Sequence, residues 1–129
     1  MKMAERIRAI LAVVQTTYDT FPYPSYPFQR TAPDRLATVG RVFGVPTVDP
    51  QGCRVLELGC AAGGNILPLA HLSPASEYVG IDLAPRQIAR GKKRAVALKI
   101  NNASLDVADL ANFEPESGGF DYVICHGVY

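Results

Sequence analysis

Three acids at recurring places suggest the chemistry of this chain. Glu57 sits inside the apolar run Val55-Leu56-Glu57-Leu58, directly before the small-residue loop Gly59-Cys60-Ala61-Ala62-Gly63-Gly64-Asn65. Asp82 closes Val79-Gly80-Ile81-Asp82, and Asp109 follows Val107-Ala108. A strand that breaks into glycines and then a helix brings backbone N–H groups close to a ligand, with partial positive charge at the helix start. An acid two residues before the first glycine repels a phosphate but suits an ammonium or a ribose hydroxyl. The loop therefore reads as a nucleoside site whose ligand has a cationic amino-acid part, which points to S-adenosylmethionine.

Each acid has a plainer alternative. Asp82, with Leu83 beside it, accepts both ribose hydroxyls in one reading and caps the helix beginning near Pro85 in the other. Asp109 accepts from an adenine amino group, with the Leu110 N–H facing the ring, or else caps a solvated loop. Glu57 meets a ligand ammonium or orients the glycine loop by accepting backbone N–H groups. It needs some partner, because unpaired burial of a carboxylate is costly. A nicotinamide dinucleotide site, and hence an NAD(P)-dependent oxidoreductase domain, is the minor rival. Gly59-x-Ala61-x-x-Gly64 fits a loose G-x-A-x-x-G. Against it, a pyrophosphate would sit near Glu57, and a dinucleotide domain usually opens with this strand, whereas Met1 to Gly52 precede it here.

Strands are expected at Arg54–Leu58, Glu77–Asp82, Ala103–Val107 and Phe120–Cys125, with helices at Gly64–Leu72 and Pro85–Leu98. This alternation predicts an α/β, Rossmann-like three-layer sandwich with a parallel sheet in the order 3-2-1-4. The three acids then fall at strand C-terminal ends, Asp109 just past its own, where open parallel sheets bind ligands. Two helices precede this core. The first runs over Ala4–Asp19, with Ile7, Ile10, Leu11 and Val14 at helical spacing. The second starts near Thr31 or Ala32 and carries Leu36, Val39, Val42 and Phe43 on one face. Between them, three prolines in Pro22-Tyr23-Pro24-Ser25-Tyr26-Pro27 forbid helix and sheet interior. Residues 1–50 are thus a helical cap with a Pro/aromatic segment, and 51–129 the nucleoside-binding core. Tyr18, Tyr23 and Tyr26 close over the ligand as an aromatic lid or simply pack the cap onto the sheet.

With 129 residues, 48% of them hydrophobic, and a net charge of +1, the chain suits one domain and gives no electrostatic case for nucleic acid or an anionic membrane. Three cysteines, Cys53, Cys60 and Cys125, make neither a disulfide scaffold nor a metal site and read as buried thiols. No apolar stretch is long enough for a membrane span, and a cytoplasmic location is the default expectation.

Val55-Leu56-Glu57-Leu58-Gly59-Cys60 with Gly63, Val79-Gly80-Ile81-Asp82, Ala108-Asp109-Leu110 and Phe120-Asp121-Tyr122-Val123-Ile124 together resemble the ordered motifs of class I S-adenosylmethionine-dependent methyltransferases. Ala61 stands where that family commonly has its middle glycine. Tyr18-Asp19-x-x-Pro22-Tyr23-x-Ser25-x-x-Phe28, Gly63-Gly64-Asn65, Asp82-Leu83-Ala84-Pro85 and His126-Gly127-Val128-Tyr129 are similar to a bacterial subgroup with a downstream methyltransferase regulatory domain, including the rickettsial-type protein-lysine methyltransferases. The resemblance implies S-adenosylmethionine as cofactor and a methyl acceptor that is protein lysine. It implies that Gly59, Cys60 and Gly63 line the methionine part, with Asp82 on ribose and Asp109 on adenine. It also places His126 where it would orient or deprotonate the acceptor amine, the alternative being a merely solvated histidine. Members of the family continue with further strands, so the chain is expected to be the N-terminal part of a longer methyltransferase. A non-catalytic cofactor-binding module is the alternative. The fourth strand would then leave an apolar edge open to self-association.

Overall fold

The computed structural model describes residues 20–22, 24–115 and 118–126. The helix expected over 4–19, together with Tyr18 and Tyr23, lies outside them. A 3-10 turn at Gln29–Thr31 leads into helix α1, Pro33–Val42, with Pro33 at its first position, Asp34 in its first turn and Arg41 in its last. Those charges complement the helix dipole, and the proline loses no hydrogen bond there.

The face that α1 buries differs from the expected one. Ala37 is in the core, with Ala32 and Leu36 packed against it. Val39, Val42 and Phe43 are exposed, at 56%, 78% and 78%. The chain after the helix reverses at Gly44 and returns over Gly40, whose carbonyl accepts from the Val45 N–H. A Cβ on Gly40 would lie 2.5 Å from Thr47 Cγ2. Small residues thus let the helix and its return pack closely, and that closeness, rather than the larger side chains, selects the inner face. Tyr122 ties the following connection down by donating its hydroxyl to Val48 O.

The core is a parallel sheet of β1 (Arg54–Leu58), β2 (Glu77–Asp82), β3 (Ala103–Val107) and β4 (Tyr122–Cys125), in the order β3-β2-β1-β4. Helix α2 (Ile66–Leu72) links β1 to β2, and α3 (Pro85–Ala97) links β2 to β3. The two links step in the same direction across the sheet, so right-handed crossovers place both helices on one face. The fold is Rossmann-like, as the alternation predicts. Central β1 is buried through Val55, Leu56 and Glu57, whereas outer β3 buries Leu105 and leaves Ser104 and Asp106 exposed. Along β4, Tyr122 and Ile124 point inward while Val123 and Cys125 are exposed. Cys53 and Cys60 are buried thiols as expected, but Cys125 is not, because it shares the outward side of the pleat with Val123. No helix among the described residues is long and apolar enough to cross a membrane.

Candidate cofactor-binding site

The register brings the expected site residues to one end of the sheet. Leu58 pairs with Ile81 and with Cys125, and Asp82 pairs with Val107. All four strands therefore end along one edge, where the 59–65 loop, Asp82-Leu83, Asp109-Leu110 and His126 emerge. Gly59, Ala61, Asp82, Leu83, Asp109 and Leu110 are half-buried there and form an open ledge. Two clefts lie elsewhere: one of about 530 Å³ beside α3 and β3, and one of about 300 Å³ among Leu67, His71, Arg94 and Leu98. Neither includes any of the three acids.

Five of the loop's seven backbone N–H groups are spent within the fold. Gly59 and Cys60 both donate to Ile81 O (2.8 and 3.0 Å), and Gly63 donates to Cys60 O at 2.9 Å. Ala61 N–H donates to Asp82 Oδ2 at 2.8 Å, and Gly64 N–H to Ser25 Oγ at 2.7 Å. The sequence suggested a loop offering N–H groups to its ligand; instead these five N–H groups satisfy one another's neighbourhood. Recognition falls to the acids and to the shape of the loop. Cys60 contributes no side chain to the ledge: it is 3% exposed and lies against Gly80, where an added Cβ would sit 2.8 Å from its Sγ. Burial, with the charges of Glu57 and Asp82 next in importance, pushes its thiol strongly up, so it stays protonated.

Gly59 and Gly63 have φ of 72° and 71°, and Ala61 between them is forced to 48°. A left-handed alanine costs about 1–2 kcal/mol, partly offset in a glycine variant by about 0.5–1 kcal/mol of extra chain entropy. Ala61→Gly should therefore raise stability by roughly 0.5–1 kcal/mol, measurable by denaturant unfolding. A destabilised variant would show that the alanine methyl makes a compensating contact.

Glu57 is 4% exposed. Its Oε1 accepts from Asn65 Nδ2 at 2.7 Å, while its Oε2 is fully buried without a hydrogen-bond partner. Burial raises its pKa to about 7; the Asn65 amide and the nearby Ile66 N–H pull it back, and the Asp82 charge pushes it further up. Asp82 does two jobs at once. Its Oδ2 holds the strained Ala61 N–H and its Oδ1 accepts from Ala84 N at 2.9 Å, turning the chain into α3. Each carboxylate oxygen keeps a second lone pair for a ligand hydroxyl. Asp109 caps its own turn, accepting from Ala111 N at 2.9 Å and from Asn112 Nδ2 at 3.0 Å. The capping alternative is thus present there, again with lone pairs to spare.

Three residues joined to this site carried no assigned role in the sequence reading: Ser25, Thr31 and Asn65. Asn65 is 3% exposed and uses both ends of its amide. Nδ2 donates to Glu57 and to Thr31 Oγ1 (3.0 Å), and Oδ1 accepts from the Phe28 N–H at 2.8 Å. The signal for Asn65 was indirect: an acid inside an apolar strand run calls for a donor within reach. His126 is exposed, with its ring 3.9 Å from that of Phe28 between centroids. The exposed histidine thus lies against the same segment.

A sheet ordered in this way, with an acid under a glycine loop and further acids at the next strand ends, defines a nucleotide-cofactor domain. A family model of the methyltransferase domain matches residues 49–129, and the chain belongs to that family. An uncharacterised protein of Rickettsia prowazekii is 41% identical over 111 residues, which is 86% of this chain and 20% of the relative. The structure of PKMT2 from Rickettsia typhi in complex with AdoHcy superposes with a TM-score of 0.77 at 39% identity, over 83% of this chain and 21% of that one. An S-adenosylmethionine-dependent methyltransferase from Thiobacillus denitrificans in complex with S-adenosylhomocysteine gives 0.58 at 26% identity, over 90% of this chain and 43% of its own. The chain thus spans about a fifth of the length of these two rickettsial proteins and 45% of a second Rickettsia prowazekii relative, 38% identical.

Proposed function

We propose that the ledge binds S-adenosylmethionine and that the chain is the cofactor-binding part of a methyltransferase whose acceptor is a lysine side chain of a protein. One observation carries the cofactor assignment: a buried carboxylate oxygen, Glu57 Oε2, without a partner beneath a loop most of whose donors are already used. An anionic pyrophosphate would find acids there and few free N–H groups, whereas an ammonium would find the charge it needs. The likeness to methyltransferases holding AdoHcy and S-adenosylhomocysteine supports the same reading. When bound, the cofactor supplies a methyl group on a sulfonium, open to in-line attack by a neutral amine.

Each acid then has a task. Glu57 would take the ammonium, Asp82 the ribose hydroxyls through its unused lone pairs, and Asp109 with Leu110 the adenine. Leu83 would flank the ribose. Gly59 and Gly63 shape the loop against the methionine part. His126, against Phe28, would orient the acceptor amine and receive its proton, leaving neutral nitrogen to attack.

The lysine assignment rests on the resemblance to the rickettsial group. Incubation with methyl-labelled S-adenosylmethionine and acceptor proteins, read by peptide mass spectrometry, should place the label on lysine Nζ. Label on another residue type, or on nucleic acid, would overturn that acceptor.

A further inference from the structure

The segment Ser25–Thr31 crosses the glycine loop and is fastened to it at three points. Ser25 Oγ accepts the Gly64 N–H at 2.7 Å, the Phe28 N–H reaches Asn65 Oδ1 at 2.8 Å, and Thr31 Oγ1 accepts from Asn65 Nδ2 at 3.0 Å. Thr31 Oγ1 in turn donates to Phe28 O at 2.8 Å, closing a ring of hydrogen bonds. The contact is close enough to require glycine: a Cβ on Gly64 would lie 2.2 Å from Ser25 O. The segment is therefore seated on the loop as a strap. The same Asn65 that receives it also donates to Glu57 Oε1 at 2.7 Å.

We infer that Asn65 is a positioning residue that links the strap to the cofactor site: the strap fixes the Asn65 amide, and that amide holds the Glu57 carboxylate with Oε2 directed to the amino-acid end of the cofactor. The inference rests on the reading that this loop binds S-adenosylmethionine. The amide's orientation follows from its neighbours. The Phe28 N–H is only a donor, so it must face Oδ1, and Nδ2 then faces the carboxylate. Releasing the strap frees the amide to turn, which would set a carbonyl oxygen against Glu57. The charged group acting on Glu57 is Asp82 at the end of β2; Cys60 in the loop is close enough to feel the Glu57 charge but stays a neutral thiol. The strap and the start of α2 meet the Asn65–Glu57 pair with neutral groups: the Phe28 backbone, the Thr31 hydroxyl and the Ile66 N–H.

Two ligands separate positioning from general damage. S-adenosylhomocysteine has the amino-acid part, and 5′-methylthioadenosine shares its nucleoside and thioether but lacks the ammonium and carboxylate. Calorimetry with both, from pH 6 to 8.5, would compare the native chain with Asn65→Asp and Thr31→Val. Asn65→Asp still accepts from Phe28 but turns a second carboxylate toward Glu57. It should weaken S-adenosylhomocysteine by at least about tenfold and raise the pH midpoint of its binding, leaving methylthioadenosine within about twofold. Thr31→Val, which disturbs the strap without adding charge, should act in the same direction by about threefold. It also keeps the test open if Asn65→Asp fails to fold. Equal losses for both ligands, or unchanged S-adenosylhomocysteine binding in both variants, would overturn the linkage while leaving the cofactor reading intact. A native chain that binds neither ligand would overturn the cofactor reading itself.

Discussion

Replacing Asp82 by Asn should remove detectable S-adenosylhomocysteine binding and lower stability by about 1–3 kcal/mol. The carboxylate accepts two backbone N–H groups, one on each oxygen: Ala61 inside the loop and Ala84 ahead of α3. An Asn side chain has one carbonyl oxygen. Its amide nitrogen would face the other N–H donor to donor, leaving a half-buried group unpaired. If Ala61 is the one released, nothing opposes its strain at φ 48°, and the loop relaxes out of shape. The ligand also loses the charged acceptor proposed for its ribose. Hydrogen bonds to a charged group contribute about 1.5–3 kcal/mol each, so losing two weakens binding at least about a hundredfold. Denaturant unfolding and calorimetry on the same preparation check both halves. Native-like affinity with reduced stability would confine Asp82 to its capping role.

Glu57→Gln should separate stability from binding. The folded chain holds this carboxyl at a pKa of about 7, against an ordinary value of 4.5. A raised carboxyl means that the folded state binds the proton more tightly than the unfolded one. Its contribution to stability is fully present below pH about 4.5 and is lost as pH rises through about 7. At pH 8 the ionised group costs the fold about 3 kcal/mol relative to its protonated form. Gln is neutral throughout, keeps an oxygen for Asn65, and places an unpaired amide NH2 where Oε2 was, which returns about 1 kcal/mol of cost. The variant should therefore be more stable than the native chain by about 2 kcal/mol at pH 8, with no advantage at pH 5. Cofactor binding should change in the opposite sense. Native affinity for S-adenosylhomocysteine should rise between pH 6 and 8 as Glu57 ionises, and the variant should be weaker by about tenfold or more at pH 8 with a flat profile. A native profile that falls over this range would mean that the protonated acid is the binding form.

The parallel core was legible because its signals are periodic. Buried runs ending in polar residues alternate with helix-length segments, and the four strands fall where these runs lie, in the expected order. The ends moved by a residue or two for local reasons. Helix α2 starts at Ile66 rather than Gly64 because Ala61–Asn65 first make turns, and β4 starts at Tyr122 because Gly118 and Gly119 both have positive φ. The same alternation placed the acids on one edge of the sheet. What remained hidden depends on contacts between distant residues, which leave no periodicity. Ser25 meeting Gly64, Thr31 meeting Asn65, and the small face of α1 packing inward are of this kind. Cys60 was expected to be buried, but the place it packs into was hidden for another reason. It follows from the room left by Gly80 on the neighbouring strand, not from anything beside Cys60 in the chain.

The central claim is that the acids, not the glycines, choose the ligand. Its most direct test is calorimetry of the chain at pH 8 with S-adenosylhomocysteine and with NAD in parallel. The expected result is saturable one-to-one binding of S-adenosylhomocysteine, with NAD giving no heat beyond dilution. Binding of NAD in preference would contradict the claim, because a pyrophosphate would then be sitting beside Glu57 and Asp82 on a loop most of whose N–H groups are already taken.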